Sequence, residues 1–324
     1  MLSLVTGGAG FVGSHLVDTL INRGDDVIIV DNLSTGNVRN LEAATESGRA
    51  TFMYLDVAQP TETLRPLLEV ALHGRCLSRI FHLASPASPD AYGSHPWETL
   101  AVNGVGTMSL IDIALEHGAR FLFSSTSEIY GDPLVHPQPE GYFGNVDPIG
   151  ERACYDEGKR FAEAAVSVAV RCRGLDGRLV RFFNCYGARM SPADGRLIPA
   201  LAEATASGAP LPIHGTGLQT RSMTYIEDAI RLLMLVMDTA QPVLQPVNVG
   251  NDEERTVLEI AEAFAQAAGV PFVIEHLPSR PGDPQRRKPD LTIARSLGWE
   301  PRVPLEDGLR STIAWLQDVS LTFV

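Results

Sequence analysis

The first half of the chain alternates short β-rich runs with helical patterns, and this alternation restricts the possible folds more than any other feature. The β-rich runs are LSLVTG, DVIIVD, TFMYLD, RIFHLAS and RFLFSST, and the segments between them include predicted helices over 11–23 and 105–116. Strands separated by helices of about 10 to 15 residues predict βαβ units and a parallel sheet. The almost unbroken apolar run VIIV suits a strand that is covered on both faces. We therefore predict the α/β class, with a Rossmann-type doubly wound parallel sheet.

The rhythm of the sequence changes after Tyr186. Gly- and Pro-rich pieces such as GARMSPADGR and SGAPLPIHGTG interrupt shorter helices there, which indicates a smaller C-terminal α/β substrate domain. The helix that starts near Ile226 and the strand PVNVG are predicted to return to the first sheet. The predicted sheet domain is thus 1–180 plus about 222–252, and the second domain is about 181–221 plus 253–324.

Composition excludes several classes of protein. The chain has 324 residues, 44% hydrophobic and 20% charged, which predicts a globular protein with a large core. Its formal net charge of -13 repels phosphate, so we expect no binding to nucleic acid or to an anionic membrane. Any phosphate ligand must then be held by local arginines and backbone N–H groups.

The cysteines and the N-terminus indicate a cytoplasmic protein without a structural metal. Cys76, Cys154, Cys172 and Cys185 are scattered and form no C-x-x-C pair, which argues against a zinc site or a disulfide framework. The eight histidines show no metal-ligand spacing, so no metal is predicted. The start MLSLVTGG shows no export signal, and no run of 18 apolar residues predicts a membrane span.

A glycine loop follows the first predicted strand directly. In TGGAGFVGSHL, Gly7, Gly10 and Gly13 have the G-x-x-G-x-x-G spacing, which permits a tight turn and a close approach of the backbone to a diphosphate. Asp31 closes the second strand 18 residues after Gly13. A carboxylate there accepts hydrogen bonds from a ribose 2′-OH and repels a 2′-phosphate, so NAD is favoured over NADP. The alternative is that Asp31 is an ordinary turn residue.

A second pattern places a tyrosine and a lysine one helical turn apart. Tyr155 and Lys159 lie in RACYDEGKR, before the amphipathic stretch FAEAAVSVAVRC. One interpretation is a solvated helix N-terminus. The other is chemical: a free phenol has a pKa of about 10, and an ammonium group one turn away stabilises the phenolate and lowers that pKa. The spacing alone leaves both interpretations open.

Together with the glycine loop, the segments SSTSEIYGDP, RACYDEGKR and HGTGLQTRSMTYIEDA resemble the extended short-chain dehydrogenase/reductase family, the NAD-dependent epimerases and dehydratases. The resemblance extends over essentially the whole chain. Within that family, FHLASPASP, STSEIYGDPLVHPQPEGY, NVDPIGERACYDEGKR and DPQRRKPD are most similar to the UDP-glucuronate decarboxylases. The resemblance implies that the sheet domain binds NAD and that the second domain binds a nucleotide sugar.

The resemblance also assigns catalytic roles. It implies that Tyr155 is the base and acid at the sugar C4 hydroxyl, and that Lys159 lowers its pKa and holds the nicotinamide ribose. Thr126 would hydrogen-bond the same oxygen, and Glu128 is a candidate for proton handling near C5. The alternative for Glu128 is a surface carboxylate at a strand end.

The implied reaction is a decarboxylation without net redox change. Oxidation at C4 gives a 4-keto sugar, whose carbonyl accepts electrons when the carboxylate leaves C5 as CO2. Return of hydride to C4 then gives UDP-xylose from UDP-glucuronate, and NAD is recycled. Ser127 stands where the 4,6-dehydratases typically carry an aspartate to expel a hydroxyl as water, and serine is a poor acid.

The resemblance also gives expected binding residues. The expected NAD contacts are Gly7, Gly10, Phe11, Val12, Gly13, Asp31, Asn32, Asp56, Val57, Leu83, Ala84, Tyr155 and Lys159. The expected substrate contacts are Ser85, Tyr92, Ser127, Asn184, Arg196, Arg221 and Arg287. The arginines are expected to bind the diphosphate or the sugar, because a guanidinium fork matches paired oxygens. Cys185, Met223 and Glu151 depart from the decarboxylase pattern, so the exact substrate is less constrained than the reaction type.

Three further expectations concern alternatives and assembly. A related 4-epimerase or 4,6-dehydratase acting on another nucleotide sugar is the first alternative. The second, from a different class, is a non-catalytic regulator that senses NAD. Relatives in the family form dimers in which the Tyr155 helix and the helix near Val105 build a four-helix bundle, so a homodimer is expected.

Overall fold

Strands and helices alternate through most of the chain. The computed structural model describes residues 1–240, 243–279 and 284–321. The strands are β1 (Leu2–Thr6), β2 (Asp26–Asp31), β3 (Ala50–Tyr54), β4 (Arg79–His82), β5 (Arg120–Thr126), β6 (Gly177–Phe182), β7 (Cys185–Tyr186), β8 (Leu211–His214), β9 (Thr220–Ser222), β10 (Thr224–Tyr225), β11 (Val243–Val249), β12 (Glu254–Thr256), β13 (Ile274–Leu277) and β14 (Arg286–Arg287). The helices are α1 (Phe11–Asn22), α2 (Glu42–Glu46), α3 (Thr61–Leu72), α4 (Pro89–Ser94), α5 (Pro96–Ala101), α6 (Thr107–His117), α7 (Ala153–Arg173), α8 (Leu197–Ser207), α9 (Ile226–Asp238), α10 (Val257–Ala268), α11 (Thr292–Ser296) and α12 (Leu305–Leu321).

Seven strands form one parallel sheet in the order β11-β6-β5-β4-β1-β2-β3. The order reverses direction at β1, since the chain first builds outward through β2 and β3 and then crosses back to β4. This is the doubly wound arrangement, and the predicted α/β Rossmann-type fold is confirmed. Parallel strands need crossover helices, which here lie on both faces of the sheet.

The core has two layers because successive strand residues point to opposite faces. Leu4 and Ile28 pack in the layer that includes α3, α6 and α7. Their neighbours Val5 and Ile29 pack in the layer that includes α1 and α9. Each strand is thus apolar on both sides, which explains why VIIV carries almost no polar alternation.

The strand PVNVG and the helix from Ile226 return to this sheet, as predicted. β11 pairs with β6 at the edge, with an irregular register between Val243 and Val247, and α9 contacts β5, β6 and β11. The predicted helix over 105–116 begins instead with a π-helical turn, Val102–Gly106, which runs on into α6. The proposed boundaries of the two domains stay a prediction.

Three small sheets lie beyond the main one. β7 pairs with β10, β8 pairs with β13, and β9 lies between β12 and β14. β9 carries Arg221 and β14 carries Arg287, so this last sheet holds both arginines at one place. Helix α10, which follows β12, begins at a capping box between Thr256 and Glu259.

Within the described ranges, no helix is both long and apolar enough to span a bilayer. Nor do the histidine, cysteine and acidic side chains of those ranges form a group that could ligate a metal ion. All four cysteines are free thiols, and Cys185 alone among them is buried.

Candidate active site

A cleft of about 1460 Å³ opens at the carboxyl ends of the central strands. In a doubly wound sheet, ligands bind at this edge, where the strand order reverses. The glycine loop after β1 and the segments after β2, β4 and β5 contribute residues to it, and arginines from the smaller sheets line it as well. Every predicted cofactor and substrate residue lines this cleft: Gly7, Gly10, Phe11, Val12, Gly13, Asp31, Asn32, Asp56, Val57, Leu83, Ala84, Ser85, Tyr92, Thr126, Ser127, Glu128, Tyr155, Lys159, Asn184, Arg196, Arg221 and Arg287.

The glycine loop is packed too tightly to admit side chains. A Cβ built on Gly13 would lie 2.1 Å from the Gly7 carbonyl oxygen. Gly7 has φ 71°, and a Cβ there would lie 2.7 Å from the Ala84 nitrogen. Gly10 is the N-cap of α1 and has no side chain to satisfy the first N–H groups of that helix. The loop therefore presents backbone N–H groups and a helix N-terminus, which suit a dinucleotide diphosphate.

Asp31 ends β2 and faces the cleft while it also holds the glycine loop. Its Oδ2 accepts a hydrogen bond from Ala9 N at 2.9 Å, and Oδ1 accepts one from Leu33 N at 2.8 Å. Burial raises the pKa of this carboxyl, and the two backbone donors oppose that shift. Asp31 thus stabilises the turn and also faces the cleft. Each carboxylate oxygen has a further lone pair available for a ribose hydroxyl.

Tyr155 and Lys159 lie on the inner face of α7, and both are buried. Tyr155 is 6% exposed and Lys159 is 2% exposed, so the solvated-helix interpretation is wrong. Lys159 Nζ donates to the Ser124 carbonyl at 2.8 Å and lies 5.8 Å from the centroid of the Tyr155 ring. The pair is therefore fixed to the end of β5 as well as to its own helix.

The pKa values of Tyr155 and Lys159 differ from the expectation drawn from their spacing. Burial raises the pKa of Tyr155 to about 12, although a hydrogen bond from Thr126 opposes this. Burial also lowers the pKa of Lys159 to about 7. The expected lowering of the phenol pKa by an ammonium neighbour is outweighed here, because removal from water disfavours both charged forms.

Tyr92 covers one face of the Tyr155 ring. The two rings stack with centroids 5.0 Å apart and planes inclined by 10°. The Tyr92 hydroxyl is buried without a hydrogen-bond partner among the described residues, and burial raises its pKa. The Arg152 guanidinium lies 5.9 Å from the centroid of the Tyr92 ring.

Glu128 is held by two arginines from different parts of the chain. Arg287 forks onto it, with Nη1 2.6 Å from Oε1 and Nη2 2.8 Å from Oε2, and Arg152 donates to Oε2. Burial alone would raise the pKa of Glu128, but Arg287 and Arg152 outweigh it and the pKa is lowered. A carboxylate in this position is ionised and 15% exposed, which does not fit the surface alternative.

The other predicted substrate residues lie around this cluster. Arg196 forms an ion pair with Asp194, and its positive charge acts to lower the pKa of Tyr155. Arg221 Nη1 donates to the carbonyls of Thr220 and Pro284.

Three residues at the site were missed by the sequence analysis. Arg152 contacts both Glu128 and Asp156. Burial and the negative charge of Glu128 raise the pKa of Asp156 to about 7. Asn103 Nδ2 donates to Ser85 Oγ at 3.0 Å and fixes that hydroxyl. Arg152 is the N-cap of α7, and its spacing of four residues from Asp156 predicts their contact at the start of that helix.

Comparisons with known proteins agree with this geometry. The sequence model of the NAD dependent epimerase/dehydratase family matches residues 3–250. UDP-glucuronic acid decarboxylase 1 of Arabidopsis thaliana is 45% identical over 307 residues, 94% of this chain and 67% of that protein. The protein of the same name from Danio rerio is 44% identical over 96% of this chain and 72% of its own length.

Solved structures show the same fold. UDP-glucose 4-epimerase of Thermotoga maritima, with UDP-glucose, has a TM-score of 0.89 and 31% identity, over 99% of this chain and 100% of its own. UDP-glucuronic acid 4-epimerase of Bacillus cereus, with UDP-glucuronic acid and NAD, has a TM-score of 0.85 and 25% identity, over 98% and 100%. The resemblance predicted from the sequence motifs is confirmed. The chain belongs to the NAD-dependent epimerase/dehydratase family.

Proposed function

We propose that the chain catalyses the NAD-dependent decarboxylation of UDP-glucuronate to UDP-xylose through a 4-keto sugar, with NAD regenerated in each turnover. One observation carries the proposal: the buried Tyr155 hydroxyl, hydrogen-bonded by Thr126, lies in one cleft with the glycine loop and with Arg196, Arg221 and Arg287. The relatives named as UDP-glucuronic acid decarboxylases support this choice of reaction.

The proposed acid and base at the sugar C4 hydroxyl is Tyr155. The glycine loop and Asp31 would hold NAD⁺, which would supply the hydride acceptor for C4 and the source of the returning hydride. Tyr155 takes the hydroxyl proton and later gives it back. The Thr126 hydroxyl donates to the same oxygen and stabilises the phenolate, and a protonated Lys159 adds positive charge beside it.

The loss of CO2 needs no acid from the protein. In the 4-keto sugar, the C4 carbonyl accepts the electron pair of the breaking C5–C6 bond, and the resulting enolate is then protonated at C5. Ser127 is therefore sufficient where a dehydratase would need an acid to expel a hydroxyl. Glu128 handles the C5 proton in this proposal, and because it is ionised, it relays a proton from water instead of donating one that it already holds.

The proposed substrate contacts follow from charge. Arg196, Arg221 and Arg287 bind the diphosphate and the uronate sugar, with Asn184, Ser85 and Tyr92 beside them. Asp31 binds the adenosine ribose of NAD, and the glycine loop binds its diphosphate. Residues 1–180 plus about 222–252 form the NAD-binding part, and about 181–221 plus 253–324 form the part that binds the nucleotide sugar.

The test is to incubate the purified protein with UDP-glucuronate and NAD⁺. We expect release of CO2 and a UDP-pentose that NMR identifies as UDP-xylose, with no net NADH. A UDP-hexuronate that keeps its carboxylate would instead identify a 4-epimerase, the activity named for the Bacillus cereus neighbour. NAD binding without turnover of any nucleotide sugar would favour a regulator, although Thr126, Glu128, Tyr155 and Lys159 are all present in the cleft.

We propose that the protein is a cytoplasmic homodimer. Four free thiols and a net charge of -13 suit a reducing compartment and no partnership with nucleic acid or membrane surfaces. The dimer proposal rests on an apolar surface on the outer side of α5, α6, α7 and the π-helical turn. We name it the helix-face patch; its large exposed members are Trp97, Leu100, Val105, Met108, Phe161 and Val168. A second copy of the chain would cover this patch.

A further inference from the structure

A short segment behind the cleft contacts residues that adjoin the two strands with substrate arginines. His136–Gln138 follows the glutamate-bearing turn after β5 and does not itself contribute to the cleft lining. The His136 side chain contacts β12, and the Gln138 side chain contacts Lys288 just after β14. In the sheet β12-β9-β14, β9 carries Arg221 and β14 carries Arg287. Neither His136 nor Gln138 is among the residues that line the cleft.

Gln138 holds the chain immediately after Arg287. Its backbone N–H donates to the Lys288 carbonyl at 2.8 Å, and its Oε1 accepts from Lys288 N at 2.9 Å. The Gln138 carbonyl accepts from Asp290 N at 3.0 Å, and Nε2 donates to the Val135 carbonyl at 2.8 Å. Gln138 itself is 1% exposed, so its own polar atoms are shielded from competing water.

His136 holds the strand that carries Arg221. Its Nε2 lies 2.9 Å from Glu254 Oε2, and Glu254 Oε1 accepts from the Thr220 hydroxyl at 2.5 Å. Thr220 directly precedes Arg221, and its backbone N–H donates to the Gln285 carbonyl, which joins β9 to β14. The contacts made by Gln138 and by His136 therefore act on the same small sheet.

Both arginines depend on the placement of very short strands. β14 has two residues and β9 has three, so little regular pairing fixes them. Arg287 nevertheless makes a two-pronged contact with Glu128, which requires a guanidinium plane placed to within a fraction of an ångström. A side chain that fixes the backbone beside Arg287 thus fixes the geometry of the fork.

We propose that Gln138 and His136 are positioning residues, which hold Arg287 and Arg221 in place at the sugar end of the cleft. The proposal rests on the proposed function only in that these two arginines bind the nucleotide sugar. Gln138→Met has a similar side-chain volume but lacks the acceptor for Lys288 N, so one of the bonds that fix the backbone after Arg287 is lost while the two backbone bonds of residue 138 remain. His136→Ala releases Glu254 and, through it, Thr220.

The test is a binding measurement that needs no turnover. NAD-loaded protein carrying Tyr155→Phe is titrated with UDP-glucuronate by calorimetry, with and without Gln138→Met. We expect Gln138→Met to weaken binding about tenfold, because a small displacement of Arg287 breaks a two-pronged contact. In protein that also carries Arg287→Ala, the same change should weaken binding by less than about twofold, since the group it positions is gone.

Ser109→Ala is the matched control for general loss of a buried hydrogen bond. Ser109 is buried and donates to the Gln59 carbonyl at 2.7 Å on another part of the molecule. We expect it to leave UDP-glucuronate binding within about twofold of the parent. The positioning role is contradicted if Gln138→Met binds like the parent, or if its effect is undiminished in the Arg287→Ala background.

His136→Ala keeps the proposal testable if Gln138→Met does not fold, since His136 is partly exposed. Its loss of affinity should likewise vanish in the Arg221→Ala background, and a full effect there overturns the proposal. If the unmodified enzyme releases no CO2 and yet these binding results are obtained, the proposed reaction is wrong and the positioning role stands. If the parent protein does not bind UDP-glucuronate, the proposed reaction and the positioning role are both wrong.

Discussion

At the scale of single residues, the chemistry depends on ionisable groups that the fold has removed from water. Tyr155 and Lys159 are each disfavoured in their charged forms by burial, with pKa values of about 12 and about 7. An uncharged phenol beside a lysine whose pKa is lowered costs the fold less than a permanent ion pair. Because Tyr155 must be a phenolate to accept the C4 proton, it has to lose its own proton before hydride transfer, and positive charge on Lys159 favours that loss.

Removal of the phenol oxygen tests this directly. Tyr155→Phe keeps the ring and its stacking on Tyr92 but cannot take the C4 proton, so we expect kcat for CO2 release from UDP-glucuronate to fall about 10³-fold. NAD binding, measured by calorimetry, should stay within about twofold of the parent, because the ring still fills its space. Turnover at the parent rate would remove Tyr155 from the mechanism.

Asp156 gives a prediction about stability and pH. Its pKa rises from 3.8 in the unfolded chain to about 7 in the fold, because burial and Glu128 disfavour the carboxylate. The folded state then binds the proton more tightly, so this stabilising contribution is complete below pH 3.8 and is lost as the pH rises through about 7.

The measurement is the urea midpoint of unfolding as a function of pH. Asp156→Asn removes the titration, so the difference in midpoint between variant and parent should change in favour of the variant between about pH 4 and pH 8. Glu157→Gln, one residue further along α7, is the control for a change of charge on this helix. A difference that is constant over this pH range would mean that Asp156 titrates as in the unfolded chain.

At the scale of elements, hydrophobic periodicity and glycine placement predicted the strands and helices whose formation depends on neighbouring residues. The start of α1 at Phe11, the apolar strands and the return of PVNVG to the sheet follow from periodicity and from glycine placement, which the sequence displays directly. The π-helical turn Val102–Gly106 was not predicted, because a run of small and apolar residues fits an α-helix equally well.

Pairings between distant residues lie outside such patterns. Glu128 and Arg287 are 159 residues apart, and they meet only because a two-residue strand joins a small sheet beside the cleft. The family motifs named both residues as candidates, but neither spacing nor composition predicts that they form a fork. The stacking of Tyr92 on Tyr155, with ring centroids 5.0 Å apart, is likewise not predicted by their positions in the sequence.

The glycine loop makes the sharpest prediction for an element. Gly13→Ala would place a methyl group 2.1 Å from the Gly7 carbonyl oxygen, so the loop must open and its N–H groups must leave their places. We expect NAD affinity, measured by calorimetry, to fall by at least about 100-fold. Gly141→Ala is the control, since a Cβ there has nothing within 4 Å. Equal NAD affinity of both variants would show that the loop does not bind the dinucleotide.

At the scale of the whole molecule, α7 joins the chemistry to the surface. Its inner face carries Tyr155 and Lys159 and packs against the sheet through Ala162 and Val166. Its outer face carries Phe161 and Val168, which belong to the helix-face patch and are 49% and 48% exposed. One helix thus has two apolar sides, as expected of a helix that is covered on both.

Introducing charge into this patch tests the dimer. Phe161→Glu combined with Val168→Glu places carboxylates where two copies would meet, and a desolvated, unpaired charge is costly at an interface. By sedimentation velocity at micromolar concentration, we expect the parent at twice the 35.0 kDa of one chain and the double variant at the mass of one chain. Val70→Glu on α3, where the valine is 70% exposed, should leave the dimer intact. Because α7 also carries Tyr155, the monomeric variant should have a lower melting temperature and a lower rate of turnover than the parent. If the parent itself sediments at the mass of one chain, the helix-face patch is not covered by a second copy and the dimer proposal is wrong.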